Sequence, residues 1–596
     1  MGEQILQYGS MPLDDLVLGL QGAFDRLIRR LRLGAPPVPG QRRLLIVQID
    51  GLSRLVLAKA LASGDMPFLA HLLDRHGYEL SGMSVGLPTC TPTFQMATMY
   101  GVRPDIPGSH YYDRARKGDI HFPRPGHAAW VETRQASGAR GILHRGSAYG
   151  CVFTGGADNS LLSFATLTRP TRRGLVSAAS GFVVLGWIVM KSLVRTVVEL
   201  VRALLRFIAD PVGQRPGWRW LTIQIGLSVW IRGFFTYGVA RDVYAGTPAV
   251  YVNYLDYDVA AHAFGPESRA AIRALHRVDR AIRQIWRVAR RVPEHRYDLY
   301  VLADHGQVAA RPYRELTGGR RLERWVFHQL LCPHDADARD NRPRSGLARG
   351  LGAARRATPG VLQRFLNYLD EEVLTTLDPE AYEKNGIRVI SAGPNAFLYV
   401  LDSAVPLDVE ALAQRLPGLA EELSRSPGVG FVLARSADGP ICVRGGKRYQ
   451  LSEIEAGPFR QRPDWSAVVD GIIELMSMPS AGDLVIYGID APEGHVSFIP
   501  ERGAHAGPSP EEMQTFIVHP ATVTLPPRIT HPMQLYEHFI RYRPDHRPAW
   551  CGCPPSSSTS TVRSSIASTS TFWPGAKHWR RPGSTSRCGE STGASA

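Results

Sequence analysis

The sequence predicts an α/β protein built on a doubly wound, mostly parallel sheet with helices on both faces. Three apolar runs carry this prediction, because each is typical of a buried parallel strand and each is followed by acidic or imidazole side chains. After the first run come a helical pattern and a further strand, which is the order of a doubly wound sheet. With 596 residues, of which 44% are hydrophobic, the chain can bury a large core.

The first apolar run, residues 42–49, is closed by Asp50 and a glycine. A buried parallel strand delivers a side chain at its carboxyl end, so Asp50 is a candidate metal ligand. One helix should follow, with apolar residues from Leu55 to Leu72, and residues 80–85 should form the next strand.

Residues 88–101 carry small hydroxyl residues in a loop that leads into a helix and stops at Gly101. The hydroxyl of Thr91 can therefore lie at a helix N-terminus, where backbone N–H groups favour an anion. Thr91 is the candidate nucleophile. A threonine at a helix start is also a common cap. The stretch therefore indicates a catalytic site only in combination with the carboxylates and histidines elsewhere in the chain.

The second apolar run, residues 249–255, is followed by Asp258 and His262. These residues are four positions apart, and on one helical turn both would face a single ion. A long helix with a regular apolar stripe is then predicted from about residue 268 to residue 291.

The third run, residues 297–303, ends at Asp304 and His305. An isolated Asp-His-Gly sequence is common in turns. Three strand ends that each finish in carboxylate or imidazole groups instead indicate a site for hard-to-borderline divalent metals.

With the later Gly503-Ala504-His505, these motifs resemble those of the alkaline phosphatase superfamily, in the branch of the type I phosphodiesterase/nucleotide pyrophosphatase family. The resemblance covers about residues 42–545, with insertions. It implies an alkaline phosphatase-like fold and two divalent metal ions, with zinc preferred and manganese as the alternative. The implied ligands are Asp50, Thr91, Asp304 and His305 for one ion, and Asp258, His262 and His505 for the other.

Two features depart from the family pattern. Cys90 begins a near match to the sulfatase signature Cys-x-Pro-x-Arg, but Phe94 replaces the arginine, and the spacing to Gly101 selects Thr91 as the nucleophile. The His-Gly and phosphate-binding asparagine of nucleotide pyrophosphatases are replaced by residues 107–113. The resemblance therefore leaves the donor to the phosphoryl oxygen open.

The implied function is divalent-metal-dependent hydrolysis of phosphate esters, as in a phosphodiesterase or nucleotide pyrophosphatase that forms a covalent threonine intermediate. Metal ions about 4 Å apart would neutralise the phosphoryl oxygens while Thr91 attacks phosphorus in line. Two alternatives remain. One is a phosphomonoesterase or sulfatase-like hydrolase of the same superfamily, and the other is a non-catalytic basic protein that binds a membrane or nucleic acid on this scaffold.

The formal net charge of +15 attracts polyanions. We expect a nucleotide or lipid-like phosphoester as substrate and an anionic membrane surface as a candidate partner, and no specific binding of nucleic acid. Among the seven cysteines only Cys551 and Cys553 are closely spaced, so no disulfide framework is predicted for the body of the protein. Residues 1–40 lack the pattern of a cleavable secretory signal, and the compartment is left open.

These observations divide the chain into seven segments. The predicted segments are a basic amphipathic helix (1–40), the first part of the catalytic domain (41–170), an apolar helical insertion (171–245), the second part of the catalytic domain (246–332), a flexible loop (333–360), a small α+β accessory part with the return to the catalytic domain (361–547) and a disordered tail (548–596).

The insertion contains two apolar stretches that are each near the length of a membrane span. A single crossing would put the two halves of the site on opposite sides of a bilayer, so it is excluded. A hairpin through 175–194 and 221–239 would bury Arg232 at a cost of about 2.5–3.5 kcal/mol. A helical cap or an in-plane membrane contact beside the active site is therefore preferred.

Overall fold

The computed structural model describes residues 41–122, 124–161, 230–331, 381–451 and 461–545, together with residue 459 and part of the stretch 189–201. The predictions for the N-terminal helix, for most of the apolar insertion, for the loop at 333–360 and for the tail from residue 548 lie outside the described residues.

The elements below are numbered in chain order. The strands are β1 (Arg43–Ile49), β2 (Tyr78–Ser84), β3 (His110–Asp113), β4 (Gly118–His121), β5 (Ser147–Tyr149), β6 (Asn159–Leu161), β7 (Ala249–Tyr254), β8 (Tyr297–Leu302), β9 (Val308–Ala309), β10 (Arg311–Pro312), β11 (Ala381–Lys384), β12 (Ile387–Ser391), β13 (Asn395–Val400), β14 (Phe431–Ala434), β15 (Ile441–Arg444), β16 (Lys447–Gln450), β17 (Leu484–Tyr487), β18 (Val496–Ser497), β19 (Gly503–Ala504) and β20 (Gln514–Pro520).

The helices are α1 (Arg54–Ala62), α2 (Pro67–Arg75), α3 (Thr91–Tyr100), α4 (Pro125–Gln135), α5 (Arg232–Ala245), α6 (Asp256–Phe264), α7 (Arg269–Arg291), α8 (Tyr313–Leu316), α9 (Leu322–Trp325), α10 (Val409–Arg415), α11 (Leu419–Ser424), α12 (Trp465–Ser477), α13 (Pro510–Met513) and α14 (Met533–Phe539). Pro293–His295 and Ile540–Tyr542 form 3-10 turns, and Val326–Leu331 forms a π-helical turn.

The central sheet has seven strands in the order β2-β20-β8-β1-β7-β5-β6. Strands β8, β1, β7, β5 and β6 are parallel, and β20 is antiparallel to both of its neighbours. The predicted α/β fold with a mostly parallel central sheet is therefore confirmed.

The register of the sheet brings the predicted strand ends to one edge. Ile49, at the end of β1, is paired with Tyr254, at the end of β7. On the other side of β1, Gln48 is paired with Leu302, at the end of β8. The residues that follow these three strands are therefore neighbours at the carboxyl edge, where open α/β sheets bind their ligands.

Helices cover both faces of the central sheet, and β1 is therefore buried along its whole length. Leu45 and Val47 belong to a core that includes residues of α1, α2, α5, α6 and α7. Leu44 and Ile46 belong to a second core, which includes residues of α3, α12 and α14. A continuous apolar strand is what two covered faces require, since consecutive side chains point to opposite faces.

The prediction of one helix after β1 is wrong, because the structure has two helices there. The chain turns at Gly64, whose φ of +77° is left-handed, and α2 starts afresh with Pro67 in its first turn. No helix in the described part of the chain is by itself long and apolar enough to cross a membrane. Helices α1 and α2 meet such a criterion only as a pair, and they are bent by 88° at their break.

A second sheet lies within the segment predicted as the accessory part. Its seven strands are all antiparallel and follow the order β11-β12-β13-β17-β14-β15-β16. One face shares the core that contains α12, and the other forms a separate core with α10 and α11. The chain leaves this sheet through β17 and returns to the carboxyl edge of the central sheet by way of β18 and β19.

Candidate active site

Thr91 is the first residue of α3 and lies at the carboxyl edge of the central sheet. Its predecessor Cys90 has extended backbone angles and makes no side-chain cap, so the helix starts directly at the threonine. The Thr91 hydroxyl donates to Asp50 Oδ1 at 3.2 Å, and its Oγ1 lies 3.2 Å from Nε2 of His305. The candidate nucleophile therefore contacts two of the predicted metal ligands directly.

Asp50, Asp304 and His305, the first ligand group, follow the paired strands β1 and β8 and are fully buried or nearly so. Nε2 of His305 lies 3.5 Å from Oδ1 of Asp50 and 3.5 Å from Oδ2 of Asp304. The backbone N–H of Gly51 donates to Asp304 Oδ1 at 3.4 Å. Among the described residues, Oδ2 of Asp304 is buried without a hydrogen-bond donor, as expected of an oxygen directed at a cation.

Asp258, His262 and His505 form the second ligand group. Helix α6 carries the first two, and Nε2 of His262 lies 3.4 Å from Oδ2 of Asp258, as their spacing predicts. The loop after β19 brings in His505, whose ring stacks on that of His305 with centroids 3.8 Å apart. The ring centroid of His262 is 5.0 Å from that of His505. The second group thus lies against the first.

Two sets of three ligand atoms are compact enough for metal ions. The ligand atoms of Asp258, His262 and His505 lie within 4.8 Å of one another, and so do those of Asp50, Asp258 and His305. All seven residues predicted from the motifs are thus in or beside these two sets. Asp258, which the resemblance assigns to one ion, lies close enough to join both.

The three imidazoles are oriented as metal ligands. The Nδ1 atoms of His262, His305 and His505 each contact a backbone carbonyl, at 2.8, 3.0 and 2.8 Å. A carbonyl only accepts, so each Nδ1 carries a proton, and Nε2 is the atom that an ion would take. The accepting carbonyls are those of Gly503, Gly306 and Thr89, in that order. The donor set therefore fits divalent metal ions of the zinc or manganese kind.

Burial and mutual repulsion dominate the electrostatics of the first group. Burial, together with the charges of Asp304 and Asp258, raises the pKa of Asp50 well above its usual range. Burial also raises the pKa of Asp304 to about 7. Carboxylates this close disfavour one another's charge, and a bound cation would reverse that effect.

The histidines separate into two kinds. Burial lowers the pKa of His305 to about 4 and that of His505 to about 3, so both rings are neutral at pH 7, as ligation requires. Burial also acts to lower the pKa of His262, but the adjacent carboxylates of Asp258 and Glu501 outweigh it and raise that pKa.

Several side chains that sequence reasoning missed hold the ligands in place. Asn253 Nδ2 donates to Asp50 Oδ2 at 2.6 Å, and Gln307 Nε2 donates to Asp258 Oδ1 at 2.5 Å. Oε2 of Glu501 lies 2.8 Å from Nδ1 of His262. Asn253 had a detectable signal, because it is a polar residue inside an otherwise apolar and aromatic strand.

There is no room for a side chain at Gly51, the residue after Asp50. Gly51 has a φ of +75°, and a Cβ at this position would lie 2.6 Å from Oδ1 of Asp258. Any other residue would separate the two ligand groups.

Cys90 is the residue of the sulfatase alternative. Its thiol is buried and lies 3.0 Å from the Thr93 hydroxyl, and burial raises its pKa to about 11. The neighbouring Phe94 is buried in the core beside the central sheet. A buried thiol with a raised pKa is a poor nucleophile, in contrast to the adjacent Thr91.

Residues 107–113 replace the family's asparagine segment and pack against the antiparallel sheet. A Cβ on Gly108 would lie 3.3 Å from Nδ2 of Asn395. Asn395 is fully buried, and neither atom of its amide has a partner among the described residues. This unpaired amide lies beside the segment that replaces the family's asparagine.

Comparison with known families indicates a phosphoester hydrolase and identifies its branch. Residues 44–331 match the family model described as type I phosphodiesterase / nucleotide pyrophosphatase. The resemblance carried by the motifs is thereby confirmed over these residues. His505 lies beyond the matched residues.

Solved structures of phosphonoacetate hydrolase from Sinorhizobium meliloti 1021 are also similar to this chain. The complex with phosphonoformate is 13% identical, with a TM-score of 0.42, and the alignment covers 85% of this chain and 96% of that chain. The complex with phosphonoacetate is 12% identical, with a TM-score of 0.41 and the same coverage. None of the curated proteins matches the sequence.

Proposed function

We propose that the protein is a divalent-metal-dependent phosphodiesterase or nucleotide pyrophosphatase that acts through a covalent intermediate on Thr91. One observation carries the proposal. The Thr91 hydroxyl contacts Asp50 and His305 at the start of a helix, and three imidazoles whose Nδ1 atoms contact backbone carbonyls converge beside it.

The residues that would hold two ions are those of the two ligand groups. Asp50, Asp304 and His305, with the Thr91 oxygen, would hold one ion, and Asp258, His262 and His505 the other. Bound divalent ions would neutralise the phosphoryl oxygens and favour ionisation of the attacking hydroxyl. Zinc is preferred because imidazoles and carboxylates together form the donor set, and manganese is the alternative.

The protein's own groups position the nucleophile. The Thr91 hydroxyl proton points at Asp50 Oδ1, which leaves an oxygen lone pair for phosphorus. The start of α3 adds the positive end of a helix dipole, which favours negative charge on both the threonine oxygen and the phosphoryl group. Thr91 is therefore held with its oxygen directed away from the apolar core.

The proposed reaction has two displacements. In the first, the Thr91 hydroxyl loses its proton and Oγ1 bonds to phosphorus, while the bond from phosphorus to the leaving oxygen breaks and that oxygen takes up a proton from water. In the second, water loses a proton as its oxygen displaces Thr91, and the threonine oxygen is protonated again. The amide of Asn253, which donates to Asp50 Oδ2, keeps that carboxylate in place during both steps.

The substrate is proposed to be a nucleotide or lipid-like phosphoester. The buried and weakly acidic thiol of Cys90 argues against the sulfatase-like alternative. A phosphomonoesterase remains the second candidate, because the family's asparagine segment is replaced. The family match gives no support to the non-catalytic alternative.

Metal analysis combined with three nitrophenyl substrates tests the proposal. The purified protein, supplied with zinc or manganese, should turn over bis-nitrophenyl phosphate faster than nitrophenyl phosphate, with no turnover of nitrophenyl sulfate. The Thr91→Ala variant serves as the blank. Faster turnover of the monoester would favour the second candidate, and a protein that binds no divalent ion and gains no activity from added zinc or manganese would refute the metal-dependent reaction.

A further inference from the structure

The described part of the stretch 189–201 presents an apolar face to solvent. Six of the ten large apolar side chains that are exposed among the described residues lie within these thirteen positions, and their exposed fractions range from 43 to 58%. The members of this apolar face are Met190, Leu193, Val194, Val197, Leu200 and Val201. Their spacing of three and four residues places them on one side of a helix.

The opposite side of the same helical stretch packs against the protein. Ser192 is 3% exposed, and the Thr196 hydroxyl donates to its backbone carbonyl at 2.8 Å. Trp230 Nε1 in turn donates to the Thr196 hydroxyl at 3.1 Å. This arrangement is the reverse of an ordinary surface helix, because small polar residues face the protein and large apolar residues face solvent.

The apolar face is anchored close to the candidate active site. Trp230 lies just before α5, and its ring packs near that of Phe234. Two residues after the tryptophan, the buried Arg232 forms an ion pair with Asp256. Asp256 is the first residue of α6, the helix that carries Asp258 and His262. A surface bound by the apolar face would therefore be coupled through short contacts to the second ligand group.

The sequence around the apolar face is basic. Lys191, Arg195, Arg202 and Arg206 occur between residues 189 and 206, where Glu199 is the one acidic residue. A helix with large apolar residues on one side and basic residues among them binds anionic lipid surfaces in the plane of the interface. The exposed stretch spans about 18 Å as a helix, which is too short to cross a bilayer of about 30 Å.

We infer that the apolar face docks on the surface of an anionic lipid bilayer and that the active site takes its phosphoester substrate at that interface. The second part of this inference rests on the proposed function, and the docking itself does not. A second copy of the chain is a less suitable occupant, because two such basic faces would repel each other.

Sedimentation with vesicles tests the docking. The full-length protein should pellet with vesicles of phosphatidylcholine containing phosphatidylserine, and much less with phosphatidylcholine alone. Val197→Asp, alone and combined with Leu193→Asp, should lower the partition coefficient by on the order of tenfold, since a charge would enter the apolar side of the interface. Val405→Asp is the matched control, because Val405 is 48% exposed outside the apolar face, and it should pellet like the wild type.

Equal pelleting of the Val197→Asp variant and the wild type would overturn the inference. Failure of the wild-type protein to pellet with anionic vesicles would overturn it as well. A change from dimer to monomer in Val197→Asp, seen by sedimentation velocity without any effect of vesicles, would overturn it in favour of a second copy. Turnover of soluble bis-nitrophenyl phosphate should be unchanged in Val197→Asp. If the wild type pellets but lacks this turnover, the proposed function fails and the docking stands.

Discussion

The two ligand groups of the site are held in different ways. Asp50, Asp304 and His305 follow adjacent strands of the central sheet, and none is more than 1% exposed. Asp258, His262 and His505 come from a short helix and a loop, and the side chain of His262 is 27% exposed. The sheet register fixes the first group, whereas the second depends on a chain that returns more than 200 residues later. Thr91 is attached to the first group.

Because the two groups are held differently, changes in each should have different effects. The candidate nucleophile Thr91 lies against Asp50 and His305, which follow the paired strands β1 and β8, so we expect its geometry to be set before any ligand binds. The second group is the more exposed one, and its histidines contact Gly503, Glu501 and Thr89. We expect changes in the second group to weaken metal binding and changes near Thr91 to remove the reaction.

The largest effect should come from Thr91→Ala. Removing the nucleophile should lower the turnover of bis-nitrophenyl phosphate by roughly a thousandfold or more, as for other covalent catalysts. Most of the bound metal should remain, because the carboxylates and histidines are intact. Thr93→Ala, two residues along the same helix, is the control and should stay within a few-fold of the wild type. Near wild-type turnover in Thr91→Ala would eliminate Thr91 as the nucleophile.

The next largest effect distinguishes the two groups by metal content. His505→Ala should lose one ion and keep the other, since His505 belongs to one set of ligand atoms. Asp258→Asn should reduce the occupancy of both sites, because Asp258 belongs to both sets. Elemental analysis of the purified variants measures this directly. An Asp258→Asn protein with one site fully occupied would show that Asp258 serves a single ion.

A smaller effect is expected at the amides that hold the carboxylates. Asn253→Ala and Gln307→Ala should each weaken zinc binding by roughly 10- to 100-fold, as for other residues that orient metal ligands. Asn253 serves the buried first group at 2.6 Å and is fully buried itself, so its loss should cost more. Competitive titration with a zinc chelator gives both affinities without relying on turnover. Equal affinities in the two variants would contradict the proposed difference between the groups.

The smallest effect concerns pH and the loop that carries His505. Glu512 accepts from the backbone N–H of Gly507 at 2.7 Å, and burial raises its pKa from 4.5 to about 7. Between these values the folded protein holds a proton that the unfolded chain has released, so the free energy of unfolding should fall as pH rises from about 4.5 to about 7. Chemical denaturation measured across this pH range should show that the free energy of unfolding declines less steeply in Glu512→Gln than in the wild type. An identical slope in both proteins would refute the assignment.

Sequence patterns are sufficient for the parts of the site that local order determines. The strands before Asp50 and Asp304 are apolar runs, and the pair Asp258 and His262 is set by helical spacing. All were predicted within a few residues. The break between α1 and α2 was missed because the apolar positions continue across it, and Gly64 with Pro67 decides the local geometry.

Other parts depend on pairing between distant segments. His505 follows a two-residue strand that pairs with β9, and no local pattern marks it as a ligand. The polar Asn253 stands out inside an apolar strand, but the sequence does not give the carboxylate that its amide or that of Gln307 contacts. The seven-stranded antiparallel sheet was anticipated only as a small α+β accessory part, since the order of strands in a sheet is not a local property.

The most direct test of the central claim is to isolate the intermediate on Thr91. The zinc-loaded protein is mixed with a nitrophenyl phosphodiester, quenched with acid within its first turnover, and digested for mass spectrometry. The account predicts a peptide that contains residues 88–101 and carries the phosphoryl ester on Thr91, absent from the Thr91→Ala protein. Burst release of nitrophenol without any modified peptide, or modification of Cys90 instead, would contradict it.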